Sequence, residues 1–315
     1  MSAISPTGAS SSRETWPALP IAEWADTCTT LQLWMQVVGK VRLALVPPIN
    51  HSWNVTLYPT IRGVSTAPMP HGRGLLQIDF DFLEHALVIE SSESGRRAIP
   101  LVPMSVAAFY RAVTQALDEL RTPVRIWPMP MEIADPIRFD KDEAHGAYDA
   151  EYAQRFWRVL LQTMRVLTAF RARFRGKVSP IHLFWGAMDL ACTRFSGRTA
   201  PEHASMPGLP DRVTRDAYSH EVSSAGFWPG AAGMDAMFYS YAYPEPPGYR
   251  QYAIRPDAAK FSEAFGEFVL PYEAMRKSPD PDAALLEFLD TTYEAAAECA
   301  HWDRSALEVR DDPSR

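Results

Sequence analysis

Two stretches about 130 residues apart carry the same polar and aromatic residues in the same order. The first reads Pro48-Ile49-Asn50-His51, Trp53, Arg62-Gly63, Thr66-Ala67-Pro68 and His71. The second reads Pro180-Ile181-His182, Trp185, Arg194, Thr199-Ala200-Pro201 and His203. Self-similarity on this scale constrains the fold more than any single motif, because related segments fold into related units. It predicts two pseudo-symmetric halves facing one another, with polar groups on matching strands. The spacings are not identical: His51 precedes its Trp by two residues and His182 by three. On a strand that difference reverses the face unless a bulge absorbs it.

The hydrophobic periodicity gives each half the same outline. Trp24 to Leu45 repeats near 3.6 residues and reads as a helix that Pro47-Pro48 ends. Trp53 to Tyr58 alternates as a half-buried strand, and Leu75 to Phe82 and His85 to Glu90 read as further strands, with a short one ending near Leu101. Ser105 caps a helix from Val106 to Leu120, and Val124 to Trp127 reads as a short strand. In the second half, Tyr148 to Arg175 is a long helix and Ile181 to Phe195 a doubly buried strand. Strands near Glu221 to Phe227 and Met237 to Tyr243 follow, then helices over Pro256 to Phe268 and Asp282 to Cys299, the last capped by Asp280 or Asp282. The expected fold is α+β: two pseudo-symmetric halves, each helix–antiparallel strands–helix, packed as one unit. The boundaries are a disordered tail (1–15), a first half (16–135), a connector (136–147), a second half (148–307) and a tail (308–315).

A chain of 315 residues, 47% hydrophobic, is long enough for a substantial core. A net charge of −7 argues against general nucleic-acid binding. No apolar run reaches the roughly 20 residues that span a bilayer, so no membrane partner is expected. The three cysteines form no CxxC pair and fit a reducing, cytoplasmic setting.

Four strings are more specific than composition: Asn50–Gly63, His182–Pro201, Tyr218–Gly230 and Phe238–Gly248. Together they resemble a bacterial family of about this length known as a domain of unknown function. The resemblance runs from Trp16 to Leu307. It implies one family unit rather than a fusion, and it carries no assigned activity.

Chemistry-bearing residues concentrate in these strings. His182 and His220, with Asp189 or Glu221, make a candidate acid–base set, or a site for a divalent metal, iron or zinc, with the two histidines as ligands. His220 and Glu221 are adjacent on one strand and point to opposite faces, so they do not serve one ion together. Arg194 sits in a strand that reads as buried; its partner is either an internal carboxylate or the anionic group of a substrate. Arg198, Trp185, Trp228, His51 and His203 complete the expected substrate-binding set. The bland alternative for each histidine is a satisfied strand residue, and for the large aromatics core packing. No Walker A, GxGxxG or GxSxG pattern occurs. The expectation is an enzyme acting on a small anionic molecule in a cleft between the halves. The alternative is a non-catalytic small-molecule binding protein using the same cleft, or a structural protein with buried histidines.

Overall fold

The computed structural model describes residues 14–205 and 210–309. Most of the two expected tails, 1–13 and 310–315, lies outside the described residues. Glu308 and Val309 do not behave as tail. Glu308 bridges Phe174, and the Val309 N–H donates to the Arg173 carbonyl at 2.9 Å.

The first half opens with α1 (Ile21–Leu45) and continues into six strands. These are β1 (Tyr58–Pro59), β2 (Gly63–Ser65), β3 (Met69–His71), β4 (Gly74–Asp81), β5 (Ala86–Ser91) and β6 (Gly95–Pro100). They form an antiparallel sheet in the order β1-β2-β4-β5-β6, with β3 also on β4. α2 (Val106–Glu119) follows, capped by Ser105, whose hydroxyl accepts from the Ala108 N–H. The second half opens with α3 (Ala150–Ala172), capped by Asp149. Its sheet holds β7 (His182–Phe184), β8 (Asp189–Thr199), β9 (His220–Trp228), β10 (Met237–Tyr243), β11 (Lys260–Ser262) and β12 (Glu267–Pro271). The order is β11-β12-β10-β9-β8-β7, again antiparallel, with α4 (Asp211–Ala217) between β8 and β9. α5 (Tyr272–Arg276), α6 (Pro281–Cys299) and α7 (Arg304–Leu307) follow, and Asp280 caps α6. The architecture is α+β, and each half is a helix, a six-stranded antiparallel sheet and closing helices.

The two sheets meet where Leu57 and Leu183 exchange both backbone hydrogen bonds, at 2.9 and 2.8 Å. One hydrophobic cluster runs through both halves. α1 sits inside it: Leu31, Trp34, Met35 and Val38 are fully buried, and so is the polar Gln36. A helix apolar on nearly every side is stable only when enclosed. Gly39 is required here, since a Cβ would overlap the Trp185 indole. Among the described residues no helix is long and apolar enough to cross a membrane.

Four local expectations need correction. The strand expected over 53–58 forms only at its end: residues 53–56 are turn and loop, and pairing begins at Leu57 and Tyr58. Asn50–Ser52 form a 3-10 turn with His51 and Ser52 at φ 58° and 57°. The Asn54 side-chain oxygen accepts from the Ile49 N–H and the Thr56 hydroxyl donates to the Trp53 carbonyl, local bonds that displace strand pairing. Val124–Trp127 stays unpaired, with Trp127 exposed. Pro256–Phe268 is not helical but leads into the β11–β12 hairpin, where Phe261 and Phe268 pack edge to face at 5.3 Å. Ile181–Phe195 is two strands broken by a turn, and one face of β8 carries polar groups. The repeated motifs also fall on unlike elements. His51 lies in the 3-10 turn and His182 in β7; Arg62 is in an exposed turn and Arg194 is buried inside β8.

Candidate functional site

The β8–β12 register decides which side chains share a face. Ala191, Gly226, Tyr239 and Val269 align across the sheet, and Thr193, Ser224 and Tyr241 form the next row. Alternation places Asp189 and Glu267 on this same face. The opposite face carries Leu190, Cys192, Phe227, Phe238 and Leu270, all in the core. The second sheet therefore has one apolar face and one polar face.

The polar face is a hydrogen-bonded network. The Tyr239 hydroxyl donates to Asp189 Oδ2 at 2.6 Å. Thr193 and Ser224 share a bond of 2.8 Å, and the Tyr218 hydroxyl donates to that of Tyr241 at 3.3 Å. Burial pushes the half-buried Asp189 carboxyl up to about 6, against the opposing bond from Tyr239. Burial, then the charge of Asp189, pushes Glu132 and Glu267 up to about 7. No Arg, Lys or His contributes to the shift of any of the three.

Glu132 reaches this face from the loop after α2. It holds a left-handed backbone, φ 55°; the residue as a whole is exposed, but its carboxyl turns inward against Gly186. α1 positions it. Gln36 accepts from the Met131 N–H and donates to the Met131 carbonyl, both at 2.8 Å, and donates to the Gly186 carbonyl at 3.3 Å. Gln32 adds a bond to the same Gly186 carbonyl. Gly186 leaves the space that the Glu132 carboxyl fills. Backbone held in a sparsely populated region by such clamps is a mark of functional sites.

A second cluster borders the same sheet. The His51 Nδ1–H donates to the Asp216 carbonyl at 3.0 Å, and Nε2 accepts from Lys177 Nζ at 2.6 Å, a tautomer set by these partners. Lys177 Nζ stands 5.5 Å from the Trp53 ring and 4.9 Å from the Phe195 ring. Burial, then Lys177, lowers the His51 pKa, so the imidazole is neutral at pH 7. His220 lies edge-on to His51 at 5.9 Å.

The expected site residues divide among several places. Asp189 is on the polar face, and Trp228 ends β9 on that side. His182 is fully buried against Phe184 (4.8 Å) and Trp53 (6.4 Å), with no partner on either ring nitrogen. His220 bonds Ser219 and lies past the irregularity between Phe195 and Thr199. The two histidines are thus not brought together. Among the described residues no three His, Cys, Asp or Glu side chains are grouped to hold a metal ion.

Arg194 lies on the opposite side of the sheet from Asp189. Its guanidinium lies on Phe170 (3.4 Å) and Tyr293 (4.3 Å) on the helix side and donates to the Phe170 carbonyl. No carboxylate bonds it among the described residues; aromatic faces and a carbonyl surround it instead. Glu221 also points away from Asp189 and accepts from Arg198 at 2.7 and 2.9 Å. Trp185 is a buried strut whose Nε1–H donates to the Val55 carbonyl at 2.8 Å. His203 stacks on Tyr218 at 4.3 Å, beside a cavity of about 380 Å³.

Sequence reasoning missed Glu132, Glu267, Tyr239, Tyr241, Lys177 and Gln36. Tyr239, Tyr241 and Tyr243 alternate on β10, a period-two signal that was readable. The two glutamates come from distant segments and carry no local signal.

Fold and site together define an α+β protein of two joined antiparallel sheets, with a polar, tyrosine- and carboxylate-lined sheet face where loops of the first half reach the second. The chain belongs to the family described as "Family of unknown function (DUF5996)", whose model matches residues 16–309. No curated protein and no solved structure matches the chain.

Proposed function

We propose that the polar face of the second sheet is an acid–base site for a small molecule that carries an amine. The observation that carries this reading is the group of Asp189, Glu132 and Glu267, with carboxyls held near neutrality and no cation among the causes of their shifts. Perturbed groups of this kind concentrate at functional sites. His182 adds independent support. It is on the adjoining strand, aligned with Ala191 of the polar face, and its buried nitrogens lack partners. Asp189 would anchor the amine beside the Tyr239 ring, a setting that suits a cation. Glu132 and Glu267, near half-protonated at pH 7, would give and take a proton. An anionic substrate is less suited, since Arg194 and Arg198 are engaged on the other side.

The satisfied Asp189–Tyr239 pair favours a second reading, a binding cleft without proton transfer. Calorimetry with small amines, sugars and carboxylates, run in two buffers of different ionisation enthalpy, tests both. Amines bind wild type and lose about tenfold or more in affinity to Asp189→Asn, the cost of a charge-assisted bond. Buffer-dependent heat supports acid–base action, and buffer-independent heat supports simple binding. Preference for carboxylates sinks the proposal. The three free cysteines suit a reducing compartment such as the cytoplasm.

A further inference from the structure

Arg198 and Glu221, two of the residues singled out in the sequence, line a different cavity. It has a volume of about 350 Å³ and lies beyond the end of β10, against the C-terminal end of α6. Tyr243, Pro244 and Pro246 line it, as do Cys299 and Trp302. The volume matches ordinary small-molecule sites, and rigid aromatic and proline walls suit a flat ligand.

Two of the lining residues carry polar atoms without a partner among the described residues. Trp302 is 7% exposed, and its indole N–H has no partner. A buried N–H without an acceptor costs free energy that a ligand acceptor would recover. The hydrogen bonds to Glu221 all fall on Oε2: Ser196 Oγ at 2.9 Å, Arg198 Nε at 2.9 Å and Arg198 Nη2 at 2.7 Å. Oε1 has no donor among the described residues. Arg198 is held in turn by the Ala300 and His301 carbonyls at 2.6 and 3.3 Å. The lining thus includes a fixed carboxylate with an unbonded oxygen and an indole N–H without an acceptor, among aromatic and proline residues.

We infer that this cavity is a second ligand site, separate from the polar sheet face, and that it takes a planar nitrogen heterocycle of one or two rings, of nucleobase type. The ring lies between the Tyr243–Pro246 wall and Trp302. A ring N–H or exocyclic amine donates to Glu221 Oε1, and a ring nitrogen or carbonyl accepts from Trp302 Nε1.

Cys299 makes the test specific, because Cys28 and Cys192 are buried and serve as internal references. Full-length protein is alkylated with iodoacetamide, with and without adenine, cytosine, nicotinamide or phenol, and the peptides are quantified. The expected result is that at least one heterocycle slows Cys299 labelling about tenfold at ten times its Kd, as occupancy requires. Cys28 and Cys192 rates stay unchanged, and phenol has no effect. Trp302→Phe, which keeps the wall but not the donor, weakens that binding about five- to tenfold. Glu221→Gln, checked for folding by circular dichroism, also weakens it. No protection by any of the heterocycles at about 10 mM, well above ordinary site affinities, overturns the inference. Equal protection by phenol, or full binding to Trp302→Phe, overturns it as well.

Discussion

At the residue scale, His182 and the raised carboxyls pull stability in opposite directions with pH. Burial lowers the His182 pKa from 6.5 to about 3, so the unfolded chain binds its proton first as pH falls. Stability from a neutral buried His182 is full above pH 6.5 and drains away below it, by ~2 kcal/mol at pH 5. His182→Phe should therefore gain ~2 kcal/mol more against wild type at pH 5 than at pH 8, measured by urea unfolding. The carboxyls have the reverse sign. Asp189 and Glu267 are held at about 6 and about 7, above their ordinary values of 3.8 and 4.5. Their contribution is full below pH 4 and is lost as pH rises through 6 to 7. Glu267→Gln is expected to raise the melting temperature at pH 8 and leave it unchanged at pH 4. Arg194 makes a third case. Arg194→Ala removes a side chain packed on Phe170 and Tyr293, and should cost ~2–4 kcal/mol without altering amine affinity at the polar face. Altered amine affinity in a folded Arg194 variant would show that its role is not confined to the helix side.

At the element scale, α1 works as an internal strut. Helix propensity alone makes Gly39→Ala stabilising by about 0.5–1 kcal/mol. The Trp185 indole occupies the space of that Cβ, so the expected outcome is destabilisation by ~1–3 kcal/mol, the usual cost of overpacking. Thermal unfolding of Gly39→Ala decides the sign. Gln36 tests the link from α1 to the site. Gln36→Leu strips partners from the Met131 peptide and weakens the hold on Gly186. It should weaken amine binding along with stability, because Glu132 loses its fixed place. The helices themselves were readable: α1, α2, α3 and α6 match their periodic patterns and the Ser105 and Asp280 caps. The elements misread were those governed by local side-chain bonds, as at Asn54 and Thr56, or by contact across a hairpin, as at Phe261 and Phe268. Periodicity carries neither kind of information.

At the scale of the whole molecule, the halves share one core and one central helix, so neither should stand alone. The full chain is expected to unfold in one transition, with coincident circular dichroism and tryptophan fluorescence curves. A fragment spanning residues 16–135 would expose the apolar surface of α1 that Tyr152 and Phe156 of α3 cover, and should not fold cooperatively. A separate first transition, or a folded fragment, would mean that the halves are independent domains.

The α+β class, the two helix–sheet–helix halves and most helix boundaries are legible in chain order, because they follow from periodicity and caps acting over a few residues. The sequence also marked Asp189, Trp228 and the clustered histidine strings as unusual. Which of the marked residues share a face depends instead on strand register and packing. Strand register turned Asp189 toward Tyr239 and Arg194 toward Phe170, and the β7–β8 turn set His182 apart from His220. Tertiary packing alone brought in Glu132 and Glu267, whose properties come from burial and from the charge of Asp189, forces that act through space and leave no trace in chain order.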